Sequence, residues 1–92
     1  GGFDENIPRA LNDGQGVRIF EDKIFVLPIF AYLETLGKID HREMFNIFNM
    51  GVGMILIISP KDQNKVLEIL EHNHEEARVI GEVINQQGVF II

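Results

Sequence analysis

The run Phe48-Asn49-Met50-Gly51-Val52-Gly53-Met54, leading straight into Ile55-Leu56-Ile57-Ile58, is the strongest constraint in this chain. Nothing polar alternates through Met54–Ile58. As a strand it would be buried on both faces, which demands a central place in its sheet. Glycine within a strand pattern has no side chain to pack and marks a bulge, or a place where a ligand or another backbone comes close. In extended chain Gly51 and Gly53 face the same side, leaving a bare strip of main chain with Asn49 at its edge. Close packing by a neighbouring element and contact with a ligand are both open readings of that strip.

The length of 92 residues allows one small domain or part of a larger one. With 46% hydrophobic and 24% charged residues the composition is that of an ordinary soluble globular protein, and no stretch approaches the length of a membrane span. The N-terminus has no basic flank followed by an apolar core, so secretion is not expected. There are no cysteines, which removes disulfides and thiolate metal sites and leaves packing as the source of stability. A net charge of -6 with scattered basic residues argues against a nucleic-acid surface. Only Arg9, Arg18 and Lys23 stand near the glycine-rich N-terminal part, enough to neutralise one small anion.

Along the chain, Asp4, Glu5 and Asn6 open a short helix carrying Ile7, Ala10 and Leu11, with Pro8 inside its first turn. Asn12–Gly16 is a turn cluster, followed by a short strand with Val17 and Ile19. Ile24–Leu27 reads as strand or extended loop. Pro28 starts a helix with an apolar face of Ile29, Phe30, Leu33 and Leu36, which Gly37 ends. Asp40 and Glu43 resemble a capping box opening a second helix, with Met44, Phe45, Ile47 and Phe48 toward the core. Ser59-Pro60 caps and starts a helix whose apolar side is Val66, Leu67, Ile69 and Leu70. Ala77–Ile84 reads as a strand interrupted by Gly81, and a turn at Gln86-Gln87-Gly88 predicts a hairpin with Val89–Ile92. The expected class is α+β, a mixed or antiparallel sheet with helices packed on it. So many apolar strand positions in so short a chain, opening abruptly on two glycines, read as a piece of a larger domain with an exposed apolar face.

Gly1-Gly2 ahead of Asp4-Glu5-Asn6-Ile7-Pro8-Arg9 has the layout in which main-chain N–H groups converge on an anion at a helix start. Asp4 and Glu5 would repel a phosphate if they faced it. Arg9 could grip one in bidentate fashion, or pair with a carboxylate such as Glu5. His72 and His74 diverge on a helix end and complete no metal set, and His41 reads as solvated in the first turn of its helix. Glu68, Glu71, Glu75 and Glu76 form a water-facing run without a paired acid and base. Phe30, Phe45 and Phe48 are core positions. No Ser-His-Asp or Cys-His grouping, Walker-type loop or Rossmann fingerprint is present, so no catalytic residue is assigned.

Read together, Gly1–Arg9 and Glu43–Met54 closely resemble two signatures of the aminoimidazole ribonucleotide synthetase (phosphoribosylformylglycinamidine cyclo-ligase) family. Pro28-Ile29-Phe30 with Leu33 and Gly37, and Val79-Ile80-Gly81-Glu82-Val83, match further, so the resemblance covers essentially all of residues 1–92. Formylglycinamidine ribonucleotide synthase and selenophosphate synthetase are similar in architecture but lack the Phe-Asn-Met-Gly run. The resemblance implies that residues 1–92 are the last part of the family's C-terminal domain, without its N-terminal domain, which supplies most of the ATP and magnesium site and the dimer interface. It also implies a ligase of purine biosynthesis, cytoplasmic and homodimeric. Such an enzyme activates an amide oxygen by phosphoryl transfer from ATP, so that an internal amine displaces it and closes the imidazole ring. Gly1, Gly2, Asn6 and Arg9 would then bind the phosphate of the ribonucleotide substrate, and Asn49, Gly51 and Gly53 would form the wall of the same cleft. The chain alone would be inactive and prone to self-association, with no nucleic-acid or membrane partner. The reading from a different class is a non-catalytic ligand-sensing or interaction module; a native gene product of only this length would favour it.

Overall fold

The computed structural model describes residues 1–92. The fold is built around β1 (Gly16–Ile19), where Val17 and Ile19 point inward and are buried while Arg18 points out and pairs with Glu82 on the neighbouring strand. β1 lies between β2 (Gly81–Ile84), which is antiparallel to it, and β3 (Gly88–Ile91), which is parallel. The class is therefore α+β with a mixed three-stranded sheet. The expected hairpin between the last two strands does not form, because β1 is inserted between them. The link Asn85–Gln87 must cross two strand spacings, about 10 Å, and it passes over the start of β1. Gly16 makes the crossing possible: a Cβ there would lie 2.8 Å from the Gly88 nitrogen and closer still to the carbonyl oxygens of Gln86 and Gly88.

Four helices accompany the sheet. α1 (Phe3–Asn6) runs into a 3-10 turn at Ile7–Ala10, and together they bury Phe3 and Ile7. α2 is Pro28–Gly37, α3 is His41–Ile47 and α4 is Gln63–His72. Met44 and Phe45 of α3 are fully buried, and the Phe3 and Phe45 rings meet edge to face with centroids 5.6 Å apart. Ile24 and Met50 complete a core of eight side chains. Arg42 ties three elements, donating to both Asp4 carboxylate oxygens at 2.6 and 2.8 Å and to the Val89 carbonyl at 2.9 Å.

Several expectations are corrected. Met54–Ile58 is not a strand: it crosses the surface irregularly with Met54 82% exposed. Both sides of β1 are taken by β2 and β3, and the run adds to the outer edge of neither. Ile24–Leu27 is loop, with Ile24 buried and Phe25 and Leu27 exposed. The capping box does not close. Asp40 makes no side-chain cap bond, and Glu43 accepts instead from Asn46 Nδ2 at 2.9 Å. Ser59 likewise caps nothing with its hydroxyl, and Pro60 begins a 3-10 turn, Pro60–Asp62, that runs into α4. The apolar faces of α2 and α4 exist as read but contain no buried residue.

Candidate functional site

A cleft of about 400 Å³ is lined by twelve residues drawn from the N-terminal segment and from 49–57. Gly1, Gly2 and Asn6 stand on one side, Asn49 and Gly53 on the other. The two glycine segments singled out in the sequence thus meet on one hollow. Helical spacing on the N-terminal side puts Phe3, Ile7 and Ala10 beside Asn6, and these with Val52, Ile55 and Ile57 make most of the lining apolar. Asp4 and Glu5 are not in the lining; Asp4 is drawn to Arg42.

The glycines differ in what they do. Gly2 is buried, its N–H donates to the Asn46 carbonyl at 3.0 Å, and a Cβ would lie 2.6 Å from the Phe48 oxygen and 2.8 Å from that of Asn46. It is the close-packing reading realised: the end of α3 sits against it, and its donor is spent. Gly53 is the reverse, with open space for 4 Å around the point where a Cβ would stand. Gly51 and Gly53 do not share a strip. Asn49–Val52 is a tight turn closed by Val52 N–H to the Asn49 carbonyl at 2.9 Å, with Met50 at φ 56° and Gly51 at φ 99°. Gly51 lies outside the cleft, toward Leu27, 3.1 Å from where its Cβ would be.

The polar groups of the cleft are two carboxamides. Asn49 Oδ1 accepts from the Gly51 N–H at 2.9 Å, which fixes the side chain and leaves its Nδ2 donors without a partner in the chain. Asn6 Nδ2 donates to the Gly2 carbonyl at 2.9 Å, leaving its Oδ1 as an acceptor. Arg9 is exposed on the 3-10 turn that also carries Ile7 and Ala10, and is not among the lining residues. No lining side chain ionises, so this wall can bind and orient but cannot exchange a proton. No group of acidic or histidine side chains is arranged for a metal, and no Lys or Arg is among the lining residues. A magnesium–triphosphate group therefore does not fit the residues of this chain by themselves. Sequence reasoning missed Phe3, Ile7 and Ala10 as lining, although their spacing beside Asn6 carried the signal.

No helix is long and apolar enough to cross a membrane. Among curated proteins, the chain is 47% identical over 89 residues to the phosphoribosylformylglycinamidine cyclo-ligase of Oceanobacillus iheyensis, covering 97% of the chain and 26% of the relative. It is 51% identical over 83 residues to the protein of that name from Bifidobacterium longum subsp. infantis, covering 90% and 24%. For Geobacillus thermodenitrificans the identity is 46% over 89 residues, covering 97% and 26%. The chain spans about a quarter of the length of these relatives. The family described as AIR synthase related protein, C-terminal domain, matches residues 1–92. With every residue inside that match and both glycine signatures meeting on one cleft, the chain belongs to the AIR synthase related C-terminal domain family.

Proposed function

We propose that this chain forms the substrate-side wall of a cyclo-ligase that closes the imidazole ring of formylglycinamidine ribonucleotide with ATP, giving aminoimidazole ribonucleotide, ADP and phosphate. The observation that carries this reading is the meeting of the Gly1–Asn6 and Asn49–Gly53 segments on a single cleft. Relatives named for that activity support it over a non-catalytic module. In this reading residues 1–92 are part of the C-terminal domain of a cytoplasmic homodimer, and ATP and magnesium are held mainly by an N-terminal domain. The wall works by positioning, as phosphoryl-transfer chemistry requires. Asn49 Nδ2 offers fixed donors to substrate oxygens, Asn6 Oδ1 accepts, and the open main chain at Gly53 lets a sugar phosphate approach closely, with Gly1 exposed opposite it beside the Asn6 side chain. Gly2 serves by seating the segment on α3, and Gly51 by allowing the turn that aims Asn49. Arg9, which makes no ion pair within the chain, is the cation assigned to the phosphate.

The test is kinetic and uses the whole enzyme. Arg9→Ala should raise KM for the ribonucleotide about tenfold with little change in kcat, as expected for loss of a uniform binding contact. Unchanged kinetics would remove Arg9 from the site. Titrating the 92-residue chain separately with ribose 5-phosphate and with ATP should give binding of the former and none of the latter.

A further inference from the structure

The His41 imidazole joins three elements outside the cleft. Its Nδ1 lies 2.9 Å from Glu34 Oε1 on α2, and its Nε2 meets Glu21 Oε1 in the turn after β1. Its own helix, α3, contributes the Phe45 ring, set perpendicular to the imidazole with centroids 5.7 Å apart. Glu21 and Glu34 are the charged groups that face it. An ionised carboxylate only accepts, so both contacts are hydrogen bonds only when both ring nitrogens carry a proton. The neutral ring has one N–H. One carboxylate then faces a lone pair, and that link is lost.

α2 has little else to hold it. None of its residues is buried, and Ile29, Tyr32 and Leu36 are each more than half exposed. Its other attachments are Phe30 against Phe48, with centroids 5.6 Å apart, and Ile39 just beyond its end, packed on the core. We propose that His41 is a proton-operated clamp on α2: the imidazolium ties the helix to α3 and to the turn after β1, and the neutral ring lets it swing away. Phe48 directly precedes Asn49, so release also loosens the support of the cleft turn.

The two carboxylates raise the His41 pKa above its ordinary value, the Glu21 hydrogen bond contributing most, then that to Glu34, against a smaller opposing effect of burial. A pKa raised in the clamped state means that clamping is fully favoured below the ordinary imidazole value of about 6.5 and is lost as pH rises through the raised one.

Amide hydrogen exchange on the 92-residue chain, corrected for its intrinsic pH dependence, reads this directly. Between about pH 5.5 and about pH 8.5 the opening constant of the α2 amides should rise about tenfold for each unit by which His41 is raised, while β1 amides stay protected. Tyr32, the only tyrosine in a chain without tryptophan, lies on α2, and its fluorescence anisotropy should fall over the same window. His41→Gln should abolish the step and leave α2 weakly protected throughout. Glu34→Gln, on an exposed helix face, should keep the fold and move the midpoint to lower pH. Equal α2 protection at both ends of the range in the wild type, a step persisting in His41→Gln, or an unmoved midpoint in Glu34→Gln would each overturn the clamp.

Discussion

Gly2 has no room for a side chain. Three carbonyl oxygens from the end of α3 crowd its Cα, and its N–H closes a hydrogen bond to one of them. Gly2→Ala would drive a methyl group into backbone that cannot rotate aside, and should destabilise the chain by about 3 kcal/mol, seen as a lower urea midpoint with an unchanged slope. An unchanged midpoint would mean the α1–α3 contact is looser than the geometry requires. In the sequence, Gly1-Gly2 and Gly51-Gly53 were legible as places of bare main chain. Which of them packs on protein and which opens on space was not. That depends on Phe45, Asn46 and Phe48 returning to Gly2 from far along the chain, and on Met50 and Gly51 entering positive φ together. Asn49 shows the same limit, because its side chain is aimed by the turn it closes on itself. His41 and Arg42, adjacent polar residues in a first turn, gave no sign of the carboxylates they reach.

At the scale of elements, α2 ends at an unfavourable residue. Gly37 remains helical, and Lys38 closes the helix in the left-handed region at φ 50° and ψ 43°. Glycine enters that region without the Cβ penalty, so Lys38→Gly should raise stability by about 0.5–1 kcal/mol, measurable as a higher thermal midpoint; a lower one would show that Lys38 makes contacts worth more than its backbone strain. Helix starts were legible because Pro28 and Pro60 carry their own φ restriction, and β1 was legible because Val17 and Ile19 flank an outward Arg18. Pairing was not. Gln86-Gln87-Gly88 has the chemistry of a hairpin turn, yet no local pattern can announce that a strand from residues 16–19 inserts between its arms. The apolar run Met54–Ile58 has the composition of a buried strand, but composition supplies no partner, and this chain leaves it unpaired.

Across the whole molecule, surface is in excess. The chain exposes 6825 Å², where a compact monomer of its mass would expose about 5,400 Å². Its radius of gyration is 14.0 Å against about 12 Å for that length. Only 10 of its 92 residues are buried. The excess is apolar, including Phe25, Leu27, Tyr32, Leu36, Met54 and Leu56. By itself the chain should therefore enhance the fluorescence of a hydrophobic dye and elute as a species larger than 10.5 kDa. A dye-silent monomer would mean that these side chains find cover within one copy. The crossing over Gly16 bears on biosynthesis. Since β1 is sandwiched between segments numbered in the eighties and nineties, a ribosome must finish nearly this entire stretch before the sheet can zip together. Until then Val17 and Ile19 wait unsheltered, and chaperones have a longer opportunity at β1 than at either strand that later flanks it.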